Sequence, residues 1–399
     1  MTDSHGAILP AFTEHRVRHA GGSLYVRDFP GSGPAFVLLH GFPDNSYIYD
    51  HLISHLAGAG RRTIAFDFLG FGASDKPEGA VYTFERQLGD LEAVAKALEL
   101  EKIIPVGHDA GGPAAVNFAL RHPTRAAGIC LMNAFYDESP GLRVPEFIEL
   151  FANKNLKALT RHFLASPEQF AWLLNFQRGQ WRFITDTHKA RYKEFLVPIV
   201  DKNFAQRPSA GPAFAQMTYQ LFDEVAANTA RLPDFRRSDL PLLLIWGKAD
   251  PYLHVSVAEH LKSQAKNAAI HVLEAGHWPL DRVLRELPTL LLHRWAFRHD
   301  FDCALRVTRA FARAAITGAV AWTAATTFGA YHLVECSGNI WRTQGAAKML
   351  DRNNFCWKRY GPSGPRNESL RLQLPAESAV IVLSVVAPMS NGPDLRHST

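Results

Sequence analysis

The feature that most constrains the fold is a regular alternation of short apolar runs with segments of helical length. Six runs of strand length lie in the body of the chain: PAFVLLHG, RRTIAFD, EKIIPVG, AAGICLMN, PLLLIWG and AAIHVLE. Continuous apolar runs of this kind are typical of strands that are buried on both faces of a sheet. Helices are expected over about 83–98, 111–121 and 255–264, and from about residue 280 onward.

Residues 16–27 alternate around the pair Gly21 and Gly22, which predicts a hairpin ahead of the first run. Together with the six runs, this gives eight strands. Strands that alternate with helices favour a mostly parallel sheet covered on both faces. The predicted fold class is therefore α/β, with an eight-stranded sheet and helices on both sides.

The alternation stops near Tyr136 and resumes at Leu240. The residues between are rich in Phe, Trp, Arg and Gln at helical spacing, which predicts an inserted helical cap. After Arg298 the alternation does not return. We therefore expect four parts: a first part of the core (1–136), a cap (137–239), a second part of the core (240–298) and an atypical, poorly ordered C-terminal extension (299–399).

Charge is distributed unevenly over the 399 residues. Twelve Lys/Arg and seven Asp/Glu lie from Arg298 onward, so residues 298–399 carry the formal net charge of +5 and residues 1–297 are neutral. A neutral body gives no reason to expect a nucleic-acid partner. The extension contains 21 uncharged residues, 314–334, but Thr, Gly and His are frequent there. We expect a loosely packed helix or unfolded chain there, not a membrane span.

The four cysteines form no CxxC pair, so neither a metal site nor a disulfide framework is expected. The N-terminal segment MTDSHGAILPAF lacks a basic start followed by a long apolar run. A secretory signal is therefore not expected, and the predicted location is the cytoplasm.

Reactive side chains follow the predicted strands. In a parallel sheet the carboxyl ends of the strands meet at one edge, where functional groups gather. We therefore expect six side chains to lie near one another: His40, Asp67, Asp109, Asn133, Asp250 and His277.

The segment GHDAGG has the form of a nucleophile elbow, Gly-x-nucleophile-x-Gly, between a strand and a helix. Gly107 and Gly111 allow the sharp turn, and His108 precedes the exposed residue. Asp109 stands where serine is usual. A carboxylate can attack an electrophilic carbon without a base and form an alkyl-enzyme ester. The alternative role for Asp109 is an N-cap of the following helix.

Hydrolysis of such an ester requires a base and a group that orients it. His277 follows the last strand and Asp250 follows the seventh, so the chain order is nucleophile, acid, base. The alternatives are that His277 is an ordinary half-buried histidine and that Asp250 is a turn residue before Pro251. The turn His40-Gly41-Phe42-Pro43 can aim the N–H of Phe42 inward, and with the N–H of Ala110 it would form an oxyanion hole.

Five motifs in this order carry a resemblance to a known family: HGFPDN, FDFLGFGASDKP, GHDAGG, WGKADPYL and AGHWPLD. Over about residues 15–297 the chain resembles the α/β-hydrolase superfamily. It is most similar to the aspartate-nucleophile branch, which contains epoxide hydrolases and haloalkane or haloacid dehalogenases. The resemblance implies the roles given above for Asp109, His277, Asp250, Phe42 and Ala110. It also implies a cis bond before Pro43 and a reaction that needs no cofactor and no metal.

The resemblance implies a small apolar electrophile and water as partners, and it leaves the reaction open. Epoxide hydrolases use two cap tyrosines as acids; Tyr219 occupies one such position. Trp172 stands near the other, and it equally resembles a halide-binding cap tryptophan of the dehalogenases. Dehalogenases use tryptophan or asparagine donors, but Ala110 follows the nucleophile. Tyr136 and Tyr192 are substitute donors or packing residues. Epoxide hydrolysis is the leading expectation and dehalogenation the second. A binding protein without catalytic activity is the alternative from another class.

Overall fold

Eight strands form one sheet in the computed structural model, which describes residues 9–183 and 185–279 and the backbone of six further strands between residues 321 and 386. The order in the sheet is β1-β2-β4-β3-β5-β6-β7-β8, and all pairs from β4 to β8 are parallel. The strands are β1 Thr13–His19, β2 Gly22–Phe29, β3 Ser32–Leu39, β4 Arg61–Phe66, β5 Ile103–Asp109, β6 Ile129–Ala134, β7 Leu242–Gly247 and β8 Ala268–Leu273.

Each of these strands lies where the sequence predicts one. The antiparallel hairpin of β1 and β2 turns at Ala20 and Gly21, both with positive φ (52° and 84°). Two consecutive residues with positive φ match the right-handed twist of the flanking strands.

The two faces of the sheet have separate cores because successive side chains of a strand point to opposite sides. In β3, Val37 and Leu39 belong to one hydrophobic cluster and Phe36 and Leu38 belong to the other. Helices cover both clusters, so the central strands, such as β3, β6 and β7, are apolar at consecutive positions. This explains why the runs in the sequence are continuous rather than alternating.

Eleven α-helices lie in the described part of residues 1–298. Seven of them, α4 to α10, lie between β6 and β7. The helices are α1 Asp50–Gly58, α2 Phe84–Ala97, α3 Gly111–Arg121, α4 Glu146–Ala152, α5 Lys157–Ala165, α6 Pro167–Gln180, α7 Asp186–Arg191, α8 Val197–Ala205, α9 Gly211–Tyr219, α10 Leu221–Arg237 and α11 Val255–Ser263.

Local signals fix where several helices begin. Thr83 accepts a hydrogen bond from the N–H of Arg86 at the start of α2, and Ser166 accepts one from Gln169 at the start of α6. Between α7 and α8, residues Tyr192–Leu196 form a π-helical turn. The helix expected from about residue 280 lies outside the described residues.

The chain divides into two compact units, 1–298 and 299–399. Six described strands of the second unit form a two-stranded sheet, β10-β11, and a four-stranded sheet, β12-β13-β14-β9. They are β9 Ala321–Ala325, β10 Tyr331–Cys336, β11 Asn339–Gln344, β12 Trp357–Tyr360, β13 Glu368–Leu372 and β14 Ile381–Val386.

The expected loose helix over 314–334 is wrong where the structure describes this segment, because β9 and β10 lie there. Threonine, valine and aromatic residues are frequent in this run, and these residue types favour strands. Among the described residues, no helix has the length and apolar character needed to cross a bilayer.

A buried ion pair fixes the loop that follows β3. Arg27 on β2 and Asp50 at the start of α1 are both about 1% exposed, and their side chains are 2.8 Å apart. The guanidinium also donates to the carbonyl of Ser46 at 3.1 Å and lies 4.4 Å from the ring centroid of Tyr47. The pair therefore holds the end of the loop that carries Phe42.

We predict that Asp50→Ala destabilises the protein strongly, because it leaves the Arg27 charge buried without its carboxylate. The expected loss in free energy of unfolding is about 3–5 kcal/mol. The measurement is urea unfolding of the full chain, followed by the helical circular dichroism signal. Asp239→Ala is the control, since Asp239 forms an exposed ion pair with Lys266. An equal midpoint shift in both variants would contradict the prediction.

Candidate active site

Asp109 lies at the sharp turn between β5 and α3, as the elbow motif predicts. Its φ is 48°, in the left-handed region that non-glycine residues seldom occupy. The turn is closely packed on both sides. A Cβ on Gly111 would lie 2.2 Å from the carbonyl oxygen of Leu39, and a Cβ on Gly41 would lie 2.4 Å from Asp109 Oδ2. Only glycine fits at these two positions.

Two backbone N–H groups hold the carboxylate of Asp109. Oδ2 accepts a hydrogen bond from the N–H of Phe42 at 3.2 Å, and the N–H of Ala110 also donates to this side chain. These are the two donors predicted for an oxyanion hole. The peptide bond between Phe42 and Pro43 is cis, as the family resemblance implies.

Burial raises the pKa of Asp109 above its ordinary value. The charge of His277 and the N–H groups of Ala110 and Phe42 oppose this shift, since each favours the ionised form. The ionisation of the carboxylate therefore depends on its neighbours, rather than being permanent in an apolar site.

His277 is paired with Asp250, as predicted. Nδ1 of the imidazole lies 2.7 Å from Asp250 Oδ2, and both side chains are buried. The other carboxylate oxygen, Oδ1, accepts from the N–H groups of Tyr252 (2.9 Å) and Leu253 (3.1 Å). Because Nδ1 donates to the carboxylate, Nε2 is left as the proton-accepting nitrogen of the neutral imidazole.

Asn133 completes this arrangement at the end of β6. Its Nδ2 donates to Asp250 Oδ2 at 2.7 Å, and its Oδ1 accepts from the N–H of Gly247 at 2.8 Å. Its φ of 38° is also in the left-handed region. Asn133 therefore orients the acid from the neighbouring strand end, where the sequence predicts a functional side chain.

The pKa of His277 results from opposing effects. Burial lowers the pKa, but the charge of Asp250 and its hydrogen bond, together with the charges of Asp109 and Asp44, outweigh it. The pKa therefore lies above the ordinary value of 6.5. The imidazolium form is stabilised by carboxylates on several sides.

A third carboxylate near the nucleophile, Asp44, was not predicted. It is 2% exposed, and its Oδ2 accepts from Trp278 Nε1 at 3.0 Å. Burial raises its pKa to about 6; Trp278 and His277 lower it and the charge of Asp109 raises it. The signal available in the sequence was its place in HGFPDN, directly after the oxyanion turn.

His40 and His108, the two histidines predicted from the motifs, form hydrogen bonds that stabilise loops next to the site. His40 Nε2 accepts from the N–H of Phe68 at 3.1 Å, and burial lowers its pKa. His108 Nε2 lies 3.0 Å from the carbonyl oxygen of His277 and is fully buried. His40 therefore stabilises the loop that contains Phe68, and His108 stabilises the loop that carries His277.

A cavity opens onto Asp109 and His277 between the core and the cap. The cavity volume is about 60 Å³. Its walls are mainly aromatic and aliphatic. The polar groups on the walls are Asp109, His277, Arg143, Gln177, Arg178, Tyr192 and Tyr252.

Of the four cap and hinge residues proposed from sequence, only Tyr192 is among the residues that line this cavity. It lies in the π-helical turn and is buried. Burial raises its pKa, whereas the charge of Arg178 and a hydrogen bond from Arg178 lower it. Because the phenol oxygen accepts from the guanidinium, its own proton remains available to a ligand.

The expectation for Trp172 is wrong. Trp172 is 62% exposed and its ring lies 5.9 Å from that of Phe176, also an exposed residue. The buried face of α6 consists of Phe170, Leu173, Leu174 and Gln177. These positions follow helical spacing, and Trp172 lies off that face.

Tyr219 and Tyr136 are not among the residues that line this cavity either, and Tyr136 has the packing role that was its alternative. The Tyr219 ring lies 4.5 Å from Lys157 Nζ, at the end of α9. Tyr136 is buried and donates to Asn117 Oδ1 at 3.0 Å. Aromatic residues that were not predicted as site residues line the cavity instead, among them Trp181 and Tyr252. Trp181 stacks on His277 with ring centroids 5.0 Å apart, and Tyr252 contacts Trp181.

No group of three or more His, Cys, Asp or Glu side chains suited to a metal ion occurs within the part of the chain that the structure describes. The polar groups around the cavity are a carboxylate, an imidazole, two guanidinium groups, an amide, two phenols and backbone N–H groups. Such groups can carry out nucleophilic attack, proton transfer and oxyanion stabilisation.

The fold and this arrangement define a class of protein. The α/β hydrolase fold family matches the chain over residues 34–282, more than half of its length. The chain belongs to this family, and it is a hydrolase.

Among its relatives, a cis-3-alkyl-4-alkyloxetan-2-one decarboxylase of Shewanella oneidensis is 28% identical over 293 residues, covering 72% of this chain and 89% of the relative. A haloalkane dehalogenase of Mycobacterium marinum is 32% identical over 232 residues, covering 57% and 73%. Epoxide hydrolase B of Mycobacterium tuberculosis is 41% identical over 120 residues, covering 29% and 34%. The solved structure of the epoxide hydrolase CorEH shares the fold, with a TM-score of 0.58 at 19% identity over 72% of this chain and 99% of that one.

We predict that Asp250→Asn lowers the pKa of His277, since the substitution removes the charge that opposes burial. Below its pKa the imidazole is protonated, so in this variant the ring would lose its proton at a lower pH than in the native protein. The measurement is an NMR titration of the His277 ring. Asp239→Asn, a change at an exposed carboxylate, is expected to leave the titration unchanged. A midpoint that stays in place in Asp250→Asn would contradict the assignment.

Proposed function

We propose that this hydrolase opens small epoxides through a covalent ester on Asp109, with Tyr192 as the acid and His277 as the base. The observation that carries the proposal is that one cavity holds three groups with complementary chemistry. A carboxylate bound by two N–H groups, a carboxylate-paired imidazole and a phenol beside a guanidinium all face it.

In the first step, a carboxylate oxygen of Asp109 attacks a ring carbon and displaces the ring oxygen. The bond between that carbon and the ring oxygen breaks, and the developing alkoxide takes the proton of Tyr192. Burial disfavours the resulting phenolate, but the Arg178 guanidinium stabilises it. The product of this step is a hydroxyalkyl ester of Asp109.

In the second step, water attacks the carbonyl carbon of the ester. Nε2 of His277 takes a proton from the water, and Asp250 stabilises the imidazolium that forms. The N–H groups of Phe42 and Ala110 stabilise the negative oxygen of the tetrahedral intermediate. Collapse of the intermediate releases the diol and restores the Asp109 carboxylate, and the proton on His277 returns to the Tyr192 phenolate through solvent.

Carbon–halogen hydrolysis is the second candidate. The relative from Mycobacterium marinum favours it, and so does the indole of Trp181 on the cavity wall beside His277. The same Asp109 ester and the same base would serve that reaction, with halide leaving in place of alkoxide. Diol release from styrene oxide, compared with halide release from bromoalkanes and haloacetates, separates the two candidates.

We predict that His277→Gln forms the ester but does not hydrolyse it. The nucleophile remains, and the base for the second step is lost. Mass spectrometry of the intact protein after incubation with styrene oxide should show the added mass of the substrate on the peptide that contains Asp109. Asp109→Ala in the His277→Gln background is the control and should show no adduct. Full turnover by His277→Gln without an adduct would reject the mechanism.

We predict that Tyr192→Phe slows epoxide opening by about 100-fold or more, because a general acid contributes on that scale. Halide release, where it occurs, should be affected little, since halide departure needs no proton. Tyr219→Phe is the matched control, because Tyr219 is a cap tyrosine that contacts Lys157 and is not among the residues that line the cavity. Equal rates of epoxide opening in the two variants would argue against Tyr192 as the acid.

A further inference from the structure

Asn203 on α8 is a cap residue whose side chain is fully buried against the core. Its amide makes four hydrogen bonds to two core loops. Nδ2 donates to the carbonyl oxygens of Pro43 (2.7 Å) and Asp44 (2.8 Å). Oδ1 accepts from the N–H of Gly72 (3.0 Å) and from Asn45 Nδ2 (3.3 Å). The amide thus uses both donors and both acceptor sites.

Three of these contacts fall on residues 41–46, which we name the oxyanion loop because it carries the N–H of Phe42. The loop is irregular, so its carbonyl groups are not held by a strand ladder. From the core, Asp67 accepts from the N–H of Ser46 at 2.8 Å and from that of Ala73 at 2.7 Å. Asn203 bonds to the same two loop regions from the cap side.

We propose that Asn203 is a positioning residue that aligns the Phe42 N–H with the Asp109 carboxylate, so that the oxyanion hole is complete only when the cap is in place. This inference rests on the proposed function for its kinetic consequence, but its structural content does not. Removal of the amide takes away the side-chain donor to the part-buried carbonyl of Pro43 and the buried carbonyl of Asp44, and a buried carbonyl is costly to leave unpaired. The oxyanion loop then moves to regain hydrogen bonds.

The second step of the reaction depends most on this alignment. When water attacks the ester, negative charge develops on the oxygen atom that accepts hydrogen bonds from the N–H groups of Phe42 and Ala110. A displacement of about 1 Å in a positioned group can cost about 100-fold in rate. During ester formation no negative charge develops at that oxygen. Loss of Asn203 therefore slows ester hydrolysis more than ester formation.

The direct test is amide hydrogen exchange of the full-length protein, measured by mass spectrometry. Asn203→Ala removes all four bonds, and Asn203→Asp keeps the two acceptor roles but loses both donors.

Gln216→Ala is the matched control, because Gln216 is also a cap amide bound to core backbone, at Tyr82 N–H (3.1 Å) and the Ala80 carbonyl (3.2 Å). We expect both Asn203 variants to exchange about tenfold faster over residues 41–46. Gln216→Ala should change exchange only near residues 80–82. Native exchange of residues 41–46 in both Asn203 variants would overturn the proposal.

The kinetic test follows the ester with styrene oxide. In Asn203→Ala we expect hydrolysis to be about 10- to 100-fold slower, so that the ester accumulates, while Gln216→Ala keeps the native rate. If His277→Gln traps an ester but Asn203→Ala hydrolyses it at the native rate, the inference fails and the proposed mechanism stands. If no variant forms an ester, the proposed function fails, and hydrogen exchange still decides the role of Asn203.

Discussion

The site depends on one interaction: the carboxylate of Asp109 lies in a mainly apolar cavity and is held there by the N–H groups of Phe42 and Ala110. Burial raises the pKa of this carboxylate, and the charge of His277 and these two N–H groups oppose the shift. Without them the neutral acid would be favoured, and a neutral acid is a poor nucleophile. The two donors come from different strand ends, and they converge only because the turn at Asp109 has a φ of 48°. A strained backbone of this kind persists where the surrounding structure fixes it. Here the close packing at Gly41 and Gly111 does so.

The strands and the site residues of the core could be predicted from the sequence because the patterns that indicate them are local. A strand buried on both faces is a continuous apolar run, and an elbow requires glycines at set distances from the nucleophile. Asp109, Asp250 and His277 each follow such a run, so their meeting at one sheet edge follows from parallel topology. Asn133 was found by the same reasoning, although its bond to Asp250 was not.

The side-chain positions of the cap could be predicted from the sequence less well, because they depend on helix phase and on distant partners. Trp172 and Leu173 are adjacent in sequence, yet one is exposed and the other buried. At Tyr192 the helix widens into a π-helical turn, which changes the phase of the residues that follow. Asn203 bonds to residues about 160 positions away, and no local pattern identifies such a partner.

The three carboxylates around His277 connect the two steps of the proposed reaction. In the resting site, the charges of Asp250, Asp109 and Asp44 all raise the pKa of the imidazole. Formation of the ester removes the charge of Asp109, and with it one of the effects that favour the protonated imidazole. The same change removes a repulsion that raises the pKa of Asp44. In the proposed reaction, ester formation would therefore remove one of the charges that favour the imidazolium, while Asp250 would remain to stabilise the cation that forms when His277 takes a proton from water.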